Sequence, residues 1–147
     1  MRNLKAIVAF VFTLAGSNAF AQQPEVFSTK DGAIGGYDPV AFFKESKPVP
    51  GMSRFTHSWN GATWNFSSKE NLELFKASPV KYAPQFGGFC AYGTAQGHKS
   101  PTQPETWTIL DGKLYFNYNM AVKKKWNEKQ QELIEKANKN WPMLRKE

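Results

Sequence analysis

The sequence predicts a small α+β protein with two antiparallel β-hairpins and two main helices. Asn60-Gly61 and Asp111-Gly112 each interrupt a stretch rich in aromatic and β-branched residues, a strong short-range signal for a hairpin. Two other segments, about 68–77 and about 120–140, carry apolar residues at helical spacing. With 147 residues, 41% hydrophobic and 21% charged, the chain has the composition of one folded domain.

The first 21 residues have the pattern of a signal peptide. Arg2 and Lys5 give a basic start, residues 6–15 form an apolar core, and Ala19-Phe20-Ala21 is a cleavage motif of the A-x-A type. The apolar core is about half as long as the ~20 residues that a membrane-spanning helix needs. We therefore expect cleavage after Ala21, a periplasmic location and no membrane span in the mature protein.

The charge of the mature chain does not indicate nucleic-acid binding. Cleavage would remove Arg2 and Lys5 and so lower the formal net charge from +7 to +5. The densest basic run, Lys123 to Lys125, lies within a predicted helix, where a solvated face explains it. We expect no nucleic-acid partner, and no pattern in the sequence identifies a protein partner.

Residues 22–30 are mostly polar, and Asp31-Gly32 and Gly35-Gly36 follow them, so we interpret 22–35 as a flexible lead-in to a domain covering 36–147. Asp38-Pro39 then predicts the start of a short helix, because Asp can accept hydrogen bonds from the first free amides and Pro suits the first helical position. The Pro- and Gly-containing stretch 47–51 predicts a loop.

The first predicted hairpin covers about 55–66. A two-residue turn at Asn60-Gly61 pairs Trp59 with Ala62, His57 with Trp64 and Phe55 with Phe66, and the period of two places all six on one face. His57 therefore faces the apolar side.

The central helix is expected to begin with a capping box and to run to about Ala77. The Ser67 side chain can accept a hydrogen bond from the Glu70 backbone N–H, while the Glu70 side chain accepts one from the Ser67 backbone N–H. Ser78-Pro79 ends the helix, since the residue before a proline disfavours helical geometry.

The second hairpin is predicted at about 107–118, with Ile109 opposite Leu114 and Trp107 opposite Phe116. Asn119 is a suitable cap for one long C-terminal helix, which we expect to end near Asn140, before Pro142.

Cys90 is the single cysteine of the sequence, so an exported chain can form no internal disulfide. Three interpretations are open: a buried small apolar residue, an intermolecular disulfide, or a thiolate used for metal or redox chemistry. His57 has two interpretations as well. It either bonds a backbone carbonyl in the core or pairs with Cys90.

Several motifs resemble the YHS-domain family. They are Tyr37-Asp38-Pro39-Val40, the run from Asn60 to Asn71, Phe75, and Pro79-Val80-Lys81-Tyr82. Gly87-Gly88-Phe89-Cys90-Ala91 and Asp111-Gly112-Lys113-Leu114-Tyr115 extend the likeness to the exported bacterial branch of that family. The resemblance implies a small α+β domain related to metal-sensing and metal-carrying modules, with a helical extension at the C-terminus.

The chain departs from the family at the positions that usually bind metal. Typical members have a cysteine after Asp-Pro-Val, where this chain has Ala41, and Ser67 and Asn71 stand at the hairpin-to-helix junction. The usual thiolate site cannot be transferred, and Cys90 is left as the candidate soft ligand.

The leading functional hypothesis is a non-enzymatic periplasmic binding protein that holds copper or zinc through Cys90 and His57. Thiolate and imidazole suit either metal, although tight sites usually have three or four ligands. Met52, Met120, Asp38 and Tyr37 are candidates to complete the set, whereas His98 lies in a polar loop.

Two alternatives remain open. One is a small-molecule or thiol-reactive pocket centred on Cys90, in which imidazole would favour the thiolate. Because C-x-x-C is absent, a redox cycle there needs a partner thiol. The other is an interaction module in which Cys90 and His57 are core residues.

Overall fold

The computed structural model describes residues 24–147, so the predicted signal peptide lies outside the described residues. Within them the chain forms six α-helices and three two-stranded antiparallel hairpins, which confirms the α+β class. In chain order the elements are β1 (Ser28–Thr29), β2 (Gly32–Ala33), α1 (Pro39–Glu45), β3 (Met52–Trp59), β4 (Ala62–Phe66), α2 (Lys69–Ala77), α3 (Pro79–Tyr82), α4 (Ala91–Ala95), β5 (Thr108–Leu110), β6 (Lys113–Tyr115), α5 (Met120–Glu128) and α6 (Gln130–Leu144).

Residues 24–35 are a structured part of the domain rather than a flexible lead-in. Val26 is only 1% exposed, and the Phe27 N–H donates to the Gly87 carbonyl at 2.9 Å. The segment continues through the β1–β2 hairpin to Ile34, which is buried. Its few apolar residues follow no regular period, and for that reason the pattern gave no sign of this packing.

The β3–β4 hairpin has the predicted turn and most of the predicted register. Asn60 and Gly61 have positive φ angles of 50° and 74°, and Trp59 lies opposite Ala62 and His57 opposite Trp64. The pairing of Phe55 with Phe66 is wrong. An irregularity between Met52 and Thr56 places Met52 opposite Phe66, because β3 accommodates extra residues there.

Helices α1 and α2 are capped by different residues. Asp38 caps α1 as expected, and its Oδ1 accepts from the N–H groups of Val40 and Ala41 at 2.8 and 3.2 Å. The cap of α2 is Ser68, whose Oγ accepts from the Asn71 N–H at 3.1 Å, so the prediction of Ser67 as cap is wrong by one residue. Ser67 instead bonds to Asp38, a distant partner that local patterns do not reveal.

The β5–β6 hairpin is shorter than predicted. Ile109 lies opposite Leu114, as expected, but pairing ends at Thr108 and Tyr115. Phe116 does not continue the hairpin opposite Trp107. Its carbonyl accepts from the Ala91 N–H at 2.9 Å, and its backbone forms a parallel bridge with Cys90.

The C-terminal region is two helices, not one. Asn119 caps α5 as predicted, accepting from the Val122 N–H at 2.9 Å. Lys129, with φ −143° and ψ 41°, interrupts the helical backbone between α5 and α6. Helix α6 continues through Pro142 to Leu144, so the prediction of an end near Asn140 is wrong.

Two apolar clusters fill the interior. The first joins the β3–β4 hairpin to α1 and α2 and includes Trp64, Phe66 and Phe75. The second lies among α4, α5 and α6 and includes Trp126 and Leu133. The segments around residues 90 and 116 run between the two clusters. Among residues 24–147, none of the helices has the length and apolar character needed to cross a membrane.

Candidate functional site

A strained turn sets the position of Cys90. Phe86, Gly87 and Gly88 have φ angles of 55°, 62° and 84°, in the left-handed region that favours glycine. A Cβ at Gly87 would also collide with the Glu25 carbonyl. The two glycines therefore allow the chain to turn directly beneath the N-terminal segment and lead into α4.

The sulfur of Cys90 sits at the N-terminus of α4 among hydrogen-bond donors. Cys90 is 1% exposed, and its Sγ accepts from the backbone N–H of Tyr118 at 3.2 Å and of Gly93 at 3.4 Å. The thiol proton has an acceptor too, since Asn117 Oδ1 lies 3.6 Å from Sγ. The sulfur thus takes part in directed polar contacts rather than only in apolar packing.

A buried polar network surrounds the thiol. Asn117, Thr94 and Thr106 are fully buried. Thr94 Oγ1 donates to the Cys90 carbonyl at 2.9 Å, and Thr106 Oγ1 both donates to the Asn117 carbonyl and accepts from its N–H, at 2.8 and 2.9 Å. These contacts hold residue 117 rigidly beside Cys90.

The carboxamide of Asn117 is only half satisfied. Its Oδ1 accepts from the Tyr92 N–H at 3.2 Å, which fixes the orientation of the amide. Its Nδ2 is buried and has no hydrogen-bond partner within residues 24–147. Leaving a buried donor unsatisfied costs stability, and such groups are uncommon in folded proteins.

The pKa of the Cys90 thiol is raised, chiefly because burial disfavours the thiolate. The backbone N–H groups of Gly93, Tyr118 and Tyr92 oppose that rise, since they stabilise negative charge on sulfur. Burial is the larger effect. The neutral thiol is therefore the resting form at neutral pH.

His57 occupies a different neighbourhood from Cys90. It lies on β3, is half-buried, and packs edge-on against Phe75 with 6.4 Å between ring centroids. This agrees with its predicted inward direction. The contacts of Cys90 are with α4 and residues 116–118, and no hydrogen bond joins the two side chains in the described part of the chain.

Three of the other candidate ligands have exposed side chains. Met52 and Met120 are 45% and 52% exposed, and His98 is exposed as expected. Across residues 24–147, no three or more His, Cys, Asp or Glu side chains are grouped so that they could hold a metal ion.

Asp38 accepts hydrogen bonds from all three positions where typical members of the resembled family bind metal, which are Ala41, Ser67 and Asn71 in this chain. Its Oδ1 accepts from the Ala41 N–H at 3.2 Å. Its Oδ2 accepts from the Ser67 N–H and Oγ–H, both at 2.8 Å, and from Asn71 Nδ2 at 2.7 Å. Hydrogen bonds to one buried carboxylate connect α1 to the start of α2 at this place.

No pattern in the sequence predicts Asn117, Thr94 and Thr106 as neighbours of Cys90. Asn117 is 27 residues from Cys90 in the chain, and it belongs to no motif. Comparison of the chain with protein-family models, with curated proteins and with solved structures finds no match.

Proposed function

We propose that this is a periplasmic protein of the YHS type whose functional group is the Cys90 thiol, and that this thiol reacts with a small hydroperoxide. The observation that supports it is the pair of backbone N–H groups, of Tyr118 and Gly93, that donate to Cys90 Sγ at 3.2 and 3.4 Å. N–H groups that point at a sulfur are suited to stabilise an oxygen atom attached to that sulfur.

Hydrogen-bond geometry supports this use of the site. A sulfenic acid places on sulfur a polar oxygen, which accepts hydrogen bonds and loses its proton more easily than an alcohol does. The N–H groups of Tyr118 and Gly93 already point at Sγ, and the Asn117 amide cannot be turned without opposing the Tyr92 N–H. The two N–H groups would then bond to the oxidised group, and Asn117 Oδ1, which lies 3.6 Å from Sγ, would accept from its O–H.

The proposed reaction balances with peroxide as the oxidant. Because burial raises the pKa of the thiol, the attacking species is the minor thiolate form. The S–O bond forms as the O–O bond breaks, the proton that left the thiol passes to the departing hydroxide, and the products are a Cys90 sulfenic acid and water. Sulfur loses two electrons to the peroxide. Because the sequence has one cysteine, a thiol from another molecule must reduce the product, first forming a mixed disulfide with release of water.

The test is to treat the mature chain with hydrogen peroxide and to trap sulfenic acid with dimedone, followed by peptide mass mapping. We expect oxidation of the folded protein to stop at the sulfenic acid, because the product is buried and hydrogen-bonded. The urea-unfolded chain is the control, in which oxidation should proceed further along the same series.

Two results would contradict the proposal. The first is a Cys90 that stays reduced for as long as the chain is folded. The second is stoichiometric copper or zinc in protein purified without chelators, lost in Cys90→Ala, which would favour the metal hypothesis for Cys90 with His57.

A further inference from the structure

A second site candidate is a cleft of about 200 Å³ that does not depend on the Cys90 chemistry. Four separate segments line it: the start of the described chain, the turn of the β3–β4 hairpin, residues 80–87, and α6. At about 30 Å³ per water molecule, this volume is enough for a small organic ligand rather than for an ion.

Two tryptophan rings give the cleft rigid aromatic walls. Trp59 is half-buried, and its ring packs against Phe75 with 5.7 Å between centroids. Its carbonyl accepts from the indole N–H of Trp64 at 3.0 Å, which fixes the hairpin end. Trp141, from α6, packs against Phe86 at 6.0 Å. Neither ring needs to be reorganised before a ligand binds.

Three side-chain amides supply the polar part of the lining. Asn60 and Asn138 are exposed, and Gln85 is half-buried. An amide both donates and accepts hydrogen bonds, so a set of three favours a ligand with several hydroxyl groups. Aromatic faces combined with amides suit a ring that has an apolar C–H face and a polar edge.

The charges around the cleft favour a neutral ligand. The lining drawn from residues 24–147 contains no Lys, Arg or His, and the neighbouring Lys99 ammonium already donates to the Pro24 carbonyl at 3.3 Å, so the cleft holds no cation placed for an anion. Its one carboxylate, Glu25, is already paired with Arg145, with 3.2 Å between Oε1 and Nε. The Lys99 ammonium lies 5.8 Å from the centroid of Trp141, which disfavours a second cation on that ring.

One residue that lines the cleft has a strained backbone conformation. Phe86 lines the cleft with φ 55° and ψ 35°, a conformation that is rare for a bulky residue. Such strain persists only where the surrounding structure enforces it, and it is concentrated at functional sites. We propose that the cleft binds a neutral carbohydrate ring, with its C–H face on Trp59 and its hydroxyl groups on the amides of Asn60, Gln85 and Asn138.

The experiment is a titration of the mature chain with N-acetylglucosamine and glucose, followed by NMR of the indole N–H groups. Glucosamine and glucuronate serve as charged probes of similar size. We expect saturable shifts of the Trp59 and Trp141 signals with at least one neutral sugar and weaker binding of both charged probes.

Asn138→Ala tests the proposed hydrogen bond between this side-chain amide and the sugar. Asn138 is exposed on α6, so the substitution should leave the fold intact. We expect about a fivefold loss of affinity, the effect of one hydrogen bond, whereas the exposed α6 variant Gln131→Ala should bind as the wild type does. The proposal would be overturned if neither neutral sugar shifts the two indole signals, if charged and neutral sugars bind equally, or if Asn138→Ala has no effect.

Discussion

The side-chain amide of Asn71 donates to the fully buried carboxylate of Asp38 at 2.7 Å, across 33 residues of sequence. Five donors converge on this carboxylate, and no cation within residues 24–147 forms an ion pair with it. Lys44 Nζ bonds to Asn71 Oδ1 at 3.1 Å and not to Asp38. Asp38 is therefore a structural link between α1 and α2 in this chain.

Asp38→Asn should destabilise the protein by about 3 kcal/mol, because the new NH₂ group would face donors while the charge-assisted bonds are lost. Urea unfolding measures the change. Asp111→Asn is the matched control, since Asp111 is exposed in a turn with φ 51°, which asparagine tolerates. Equal stabilities of the two variants would refute the role of Asp38.

Gly87→Ala should cost more stability than Gly97→Ala. Both glycines have positive φ, 62° and 91°, so each substitution carries a backbone penalty of about 1–2 kcal/mol. Only at Gly87 would the new Cβ meet a backbone carbonyl, whereas nothing lies within 4 Å at Gly97. Thermal unfolding of the two variants compares them directly. Similar melting temperatures would mean that the turn before Cys90 is not tightly held against the N-terminal segment.

The stability of the wild type should fall as the pH rises above about 8.5, the ordinary pKa of a cysteine thiol. Because burial raises the pKa of Cys90 in the folded state, the unfolded chain loses its proton first and gains stability relative to the fold. This contribution is fully present below the unfolded pKa and is lost as the pH rises through the folded pKa.

Cys90→Ser is the control for this pH dependence. Serine keeps an acceptor for the Tyr118 and Gly93 N–H groups but does not titrate in this range. The pKa of Tyr115 is also raised, by burial first, and this effect is common to both proteins. Urea unfolding between pH 7 and pH 10 should show a steeper loss for the wild type. Parallel curves would show that Cys90 does not contribute.

Asn117→Ala should shorten the lifetime of the Cys90 sulfenic acid and also destabilise the fold by about 2 kcal/mol, since the Tyr92 N–H loses its acceptor. Thr94→Ala is the comparison, because Thr94 contacts only the Cys90 carbonyl and not the sulfur. Dimedone trapping over time measures the lifetime. If both variants lose the sulfenic acid equally fast, the effect is one of stability and not of the Asn117 amide.

The candidate site could be predicted only in part. Cys90 and the inward direction of His57 follow from cysteine count and strand alternation, which are properties of the sequence alone. The neighbours of Cys90 do not. Asn117 reaches the sulfur because Phe116 leaves the β5–β6 hairpin to pair with Cys90, and that pairing is between segments 26 residues apart.

Local chemistry determined the turn at Asn60-Gly61 and the caps at Asp38 and Asn119, because each depends on a few consecutive residues and their own backbone geometry. Tertiary packing decided the role of Ser67, which bonds to the distant Asp38, and the pairing of Phe116 with Cys90. These features depend on which distant groups meet in the interior, where every buried donor and acceptor competes for partners. A sequence pattern specifies the local preference, and only the assembled core shows which partner is reached.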